Sequence, residues 1–259
     1  MNAVRPCPDK DFEWIKTGVS ELVSSEAFVS HLLPPKFEAY AKILHPITAN
    51  YANIDHPLSD QEIARLRIPP CTELRSFVET KRDKGEGPRI KWKELAAFFG
   101  VPFASEICHE WFRVRLSDPA CWSRFFCGPD EGNLDCEELS EVLSLLRPFT
   151  GKQECFLRFA GISLVTKDGP ILFVGVLDEV VNFLEENEYR FSPEYLWPSD
   201  RNWCLCTDYD LTFTVVGGPQ KLISSVLGSS TLEALQVNQQ TRIDWLAPIP
   251  KLPLDPFKS

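Results

Sequence analysis

Residues 197–218, WPSDRNWCLCTDYDLTFTVVGG, alternate in a way that decides how the surrounding chain is read. As a first strand, Trp203, Leu205, Thr207 and Tyr209 share one face, and Cys204, Cys206 and Asp208 share the other. As a second, Leu211, Phe213 and Val215 oppose Thr212, Thr214 and Val216. The polar join at Asp208–Asp210 predicts a hairpin or a bulged long strand. Gly217 and Gly218 then read as tight-turn glycines, with Pro219 at the first helical position. Leu222, Ile223, Val226 and Leu227 form an apolar stripe that stops at Gly228, so the unit is β-β-α.

Working outward, FEAYAKILHPI puts Phe37, Ala39, Ala41 and Ile43 on one face of a strand, whereas a helix would align Phe37, Tyr40, Ala41 and Leu44. Prolines on both sides favour the strand. ECFLRFAGISLV and GPILFVGV read as two strands joined by Lys167-Asp168-Gly169-Pro170, LEALQV as another, and Trp14-Ile15-Lys16 as the start of an early one.

Helical stripes recur at Leu74, Phe77 and Val78, and at Trp92, Leu95, Ala96 and Phe99 before the stop at Gly100. Another joins Leu139, Val142, Leu143 and Leu146, capped by Asn133 or Asp135 and ended by Pro148. A further stripe is Leu177, Val180, Val181 and Leu184, and Ser59 with Glu62 makes a capping-box pattern. The expected fold is α+β, a mostly antiparallel sheet with short helices packed against it. It forms one unit over residues 1–259, or two joined halves, 1–125 and 126–259, with a proline-rich tail at 248–259.

The chain's 259 residues can bury a substantial core without staples, and 44% hydrophobic with 25% charged residues is ordinary for a folded soluble protein. The 21 prolines favour loops and short elements over a helical bundle. A formal charge of −10 argues against nucleic acid and anionic membranes as partners, since phosphate-backbone affinity comes mainly from Lys and Arg. No run approaches a membrane span, and the start MNAVRPCPDKDFEWI lacks the apolar core of a secretory signal. Nine scattered cysteines then imply reduced thiols in a cytoplasm.

The segments LLPPKFEAYAKILHPI, IKWKELAAFFG, GNLDCEELSEVLSLLRPFTG before CFLRFAG, and WPSDRNWCLCTDYDLTFTVVGGPQKLISSVL together resemble a family of uncharacterised bacterial proteins, over most of the chain and in the same order. The resemblance implies a bacterial cytosolic protein acting as one continuous unit; it assigns no activity, cofactor or catalytic residue.

Two functional readings come from the residues. Phe191, Tyr195, Trp197 and Trp203 lie within thirteen residues, and such aromatics dominate protein interfaces. With the acidic composition they indicate a non-enzymatic interaction module, immunity-like or regulatory, binding another protein. The alternative is a hydrolase or transferase with a carboxylate site, metal-assisted or not, at Asp200, Asp208 and Asp210, where Asp208-Tyr209-Asp210 matches a D-x-D pattern. Cys204-x-Cys206 and Cys108-His109 have metal-like spacing without a matching second pair, and buried free thiols account for the former. His45 is the histidine carried into the sheet and reads as structural, while Val215–Pro219 lacks the spacing of a phosphate or dinucleotide loop.

Overall fold

A computed structural model describes residues 4–56, 71–81, 87–116, 120–159, 171–186 and 192–248. The chain is α+β and divides into two compact units: residues 1–45 with 131–244, and residues 46–130 with 245–259. The second unit thus combines a central stretch with the C-terminal residues, and the two units are not consecutive halves.

The first unit holds an eight-stranded sheet in the order β1-β7-β6-β8-β9-β10-β2-β11. Its strands are β1 (Arg5–Pro6), β2 (Ala39–Leu44), β6 (Glu154–Arg158), β7 (Leu172–Val176), β8 (Tyr195–Pro198), β9 (Cys204–Cys206), β10 (Phe213–Gly218) and β11 (Ala234–Val237). Every pairing in it is antiparallel. The alternation read from the sequence sets the faces: Val216 pairs with Leu205 and Ala41, and all three join the main core, whereas Val215 pairs with Cys206 and Lys42 on the reverse face.

The core face is covered by the helices Cys136–Thr150, Val180–Glu186 and Gln220–Leu227. Asp135 caps the first, its carboxylate accepting the Glu138 amide at 2.8 Å. Pro148 does not end this helix but sits within its last turn, so the chain stays helical to Thr150. That position is exposed, and near a helix end the lost amide removes only one bond. Gln220–Leu227 begins one residue later than expected, with Pro219 as its N-cap.

Gly217 and Gly218 lie inside β10, not in a turn. A Cβ on Gly217 would sit 2.5 Å from the Phe37 ring, and one on Gly218 would sit 2.8 Å from Leu222. Their lack of a side chain lets neighbours close onto the strand. Trp14-Ile15-Lys16 is likewise no strand: a 3-10 turn, Asp9–Phe12, runs into the helical turn Glu13–Lys16, which buries Phe12 and Ile15.

The second unit has a three-stranded sheet, β4-β3-β5, from β3 (Ile47–Ala49), β4 (Arg89–Ile90) and β5 (Phe126–Cys127). Short helices accompany it at Tyr51–Asp55, Cys71–Glu79, Trp92–Phe99, Glu110–Arg113 and Ala120–Phe125. Its core is aromatic: Phe112 stacks on Phe99 at 5.5 Å and on Trp122 at 6.1 Å. Gly100 closes Trp92–Phe99 with φ 60°, as its sequence position predicts. The Ser59–Glu62 capping box, the Lys167–Pro170 turn and the proline-rich tail beyond residue 248 lie outside the described residues. No described helix is long and apolar enough to cross a membrane.

Candidate functional site

The reverse face of the sheet is lined at its centre by Phe156, Tyr195 and Trp197 and is covered by the N-terminal segment. Phe156 stacks on Trp197 at 5.4 Å and 8°, Phe12 packs on Tyr195 and Trp197, and Trp14 meets Trp197 edge-on at 6.1 Å. Tyr195 and Trp197 are consequently buried. Trp203 points to the core face, fully enclosed, and its indole donates to Thr150 Oγ1 at 3.1 Å. The aromatic run expected to offer a protein-binding surface is therefore interior at Tyr195 and Trp197, because residues 9–16 fold over them, and at Trp203, because it packs into the core on the opposite face; Phe191 lies outside the described residues.

The three aspartates are not brought together. Asp200 follows β8 at one end of the β8–β9 hairpin, where its Oδ1 accepts the Asn202 amide at 3.0 Å. Asp208 follows β9 at the opposite end, where the Thr207 amide donates to the Glu194 carbonyl that precedes β8. There Asp208 Oδ1 accepts the Asp210 amide at 2.9 Å, so the D-x-D pattern is an Asx turn at the join before β10. Burial pushes the Asp208 carboxyl above the ordinary carboxylate range. Among the described residues no group of three or more His, Cys, Asp or Glu side chains is arranged to hold a metal ion.

The sulfur groups are equally unsuited to nucleophilic work. Burial pushes the Cys204 and Cys206 thiols well up and Cys155 to about 12, so little thiolate exists at neutral pH. Among the described residues seven cysteines form no disulfide, whereas Cys121 is disulfide-bonded, a departure from the all-reduced expectation. His45 is fully buried, its Nε2 3.0 Å from Thr214 Oγ1, which lies 2.8 Å from Thr207 Oγ1. This joins β2, β10 and the end of β9 by side-chain hydrogen bonds. In the second unit, His109 Nε2 lies 3.2 Å from the Glu110 carboxylate, which also holds Arg113, beside a small hollow of about 160 Å³. Burial lowers the His109 pKa and favours the neutral imidazole.

An open groove lies at the sheet's end. Leu44 donates its amide to the Glu233 carbonyl, which fixes the β2–β11 register so that Leu235 and Val237 face β2 with their backbone groups. Ala234 and Gln236 therefore aim their N–H and C=O groups outward, where no described strand pairs with them. Beside this edge is a groove of about 400 Å³ lined by Glu38, Tyr40, Gln220, Gln236, Asn238 and Gln239 among others. Tyr40 fixes its wall, donating to the Pro34 carbonyl at 2.9 Å and accepting the Phe37 amide at 3.2 Å. Glu38 accepts the Gln220 amide at 2.9 Å. The other edge is closed differently: β1 is two residues long and ends in Pro6, which has no amide to donate. Comparison with family models, with curated proteins and with solved structures finds no match.

The sequence shows LEALQV as a strand but not as the last in its sheet, since strand order depends on pairings between residues almost two hundred positions apart. The clue it does hold is the amide-rich run Gln236–Gln240 directly after an alternating segment.

Proposed function

We propose that this chain is a non-enzymatic protein-interaction module that receives an extended segment of a partner protein along the outer edge of β11. The observation that carries the reading is the outward orientation of the Ala234 and Gln236 backbone groups next to an amide-lined groove. Strand addition of this kind draws affinity from main-chain hydrogen bonds and selectivity from side-chain pockets at alternate positions. The Gln236 side chain carries both a donor and an acceptor, which suits a polar segment, while Asn238 and Gln239 are held in place by the Gln240 amide and the Tyr40 hydroxyl, and the Glu38 carboxylate favours a segment carrying a basic residue. The buried thiols, the separated aspartates and the engaged His45 support a binding role over an enzymatic one. A regulatory or immunity-like role in a bacterial cytoplasm accords with such a module.

Gln236→Pro provides the test. It removes one outward amide while leaving the bonds that Leu235 and Val237 make to β2. A displayed library of random peptides should yield sequences that bind the wild-type chain and lose at least tenfold in affinity for Q236P, with both proteins melting cooperatively. Peptides that bind both proteins equally would remove the edge from the account. So would a library from which wild type enriches nothing.

A further inference from the structure

The cations on the reverse face of the first unit are not all treated alike. Arg5 pairs with Glu154, Lys16 with Asp9, and Arg158 with Glu194. Lys36 and Arg201 make no ion pair among the described residues, and both pack over the same ring: Lys36 Nζ is 4.8 Å and the Arg201 guanidinium carbon 5.2 Å from the centre of Trp14. Burial and then the Arg201 charge lower the Lys36 pKa, so the two like charges are held against a cost. Asp200 is the nearby acid: its charge acts on Lys36 in the opposite sense to Arg201, while its Oδ1 accepts the Asn202 amide and neither cation forms an ion pair with it.

Local geometry reinforces the placement. Arg201 has φ 56°, the one positive value at a non-glycine position among the described residues. Left-handed turns ordinarily take Gly, Asn or Asp; here an arginine holds the position at the close of the β8–β9 turn, its amide donating to the Pro198 carbonyl at 2.9 Å. The Trp14 indole N–H is also buried without an acceptor.

We propose that Lys36 and Arg201, held over Trp14, form a binding site for the phosphate group of a small molecule. A phosphate monoester carries about −1.5 to −2 charge at neutral pH, which matches two cations. A guanidinium fork can contact two phosphate oxygens while the lysine ammonium supplies a point charge beside them. The site is separate from β11 and does not rest on the reading of that edge.

Inorganic phosphate is the first probe, titrated calorimetrically into the full chain, with chloride at matched ionic strength as the control. Wild type should show saturable phosphate binding and none for chloride. Lys36→Met keeps much of the alkyl stem, and Arg201→Asn suits the left-handed turn; each should weaken phosphate binding tenfold or more without lowering the melting midpoint substantially. Phosphate affinity unchanged in both folded variants would overturn the proposal, as would the absence of saturable binding to wild type.

Discussion

Gly217 shows how one missing side chain can organise a contact that its sequence pattern misrepresents. A glycine pair after a strand ordinarily signals a turn, because glycine reaches backbone conformations closed to other residues. Here the pair remains in the strand, and its role is to admit the Phe37 ring, which a Cβ would approach to 2.5 Å, with Tyr40 at 3.0 Å. Gly217→Ala should therefore destabilise the fold by about 1–3 kcal/mol through overpacking, read as a lower urea midpoint. An unchanged midpoint would mean that the aromatic wall yields freely. The burial of Tyr195 and Trp197 escaped the sequence for a related reason: their cover comes from Phe12 and Trp14, some 180 residues away, and no local pattern encodes that meeting. Cys204 and Cys206 were more legible, since alternate positions on a half-apolar strand make small buried thiols the natural outcome.

At the scale of elements, regular periodicity carried furthest. The stripe of Val142, Leu143 and Leu146 predicts the helix Cys136–Thr150 and the face it buries, and the Asp135 cap follows from an acceptor-bearing side chain just before the stripe. Asp135→Ala should lower stability by about 1 kcal/mol, because the Glu138 amide would lose its acceptor, and a thermal melt would record it. No loss would show that water or a neighbour replaces the carboxylate. Where periodicity is short the reading failed: three residues at Trp14–Lys16 fit a strand or a helical turn equally, and burial of Phe12 and Ile15 selected the turn. The aspartates failed on connectivity. Asp200 and Asp208 are near neighbours in sequence, but the β8–β9 hairpin places its turn at one and its open end at the other.

For the whole molecule, chain order and compact units do not coincide. Residues 46–130 depart from and return to neighbouring points: the His45 amide bonds to the Thr212 carbonyl, and the Gly132 amide to the Leu211 carbonyl. Insertions whose ends lie close together are the kind a surrounding unit accommodates. A chain joining residues 1–45 to 131–244 through a short Gly-Ser linker should fold alone, giving a cooperative melt and a near-ultraviolet circular dichroism signal. A non-cooperative melt would show that the two units depend on one another for stability. The sequence indicated the α+β class because alternating and 3.6-period segments are both plain in it, whereas the departure at residue 46 leaves no compositional mark.

Backbone hydrogen exchange reads the availability of the β11 edge directly. In the free chain the amides of Ala234 and Gln236 should exchange quickly, while those of Leu235 and Val237, bonded to β2, are protected. A peptide enriched on wild type should slow exchange at Ala234 and Gln236 with little change elsewhere in the sheet. Protection confined to another surface while these two amides stay fast would contradict the account.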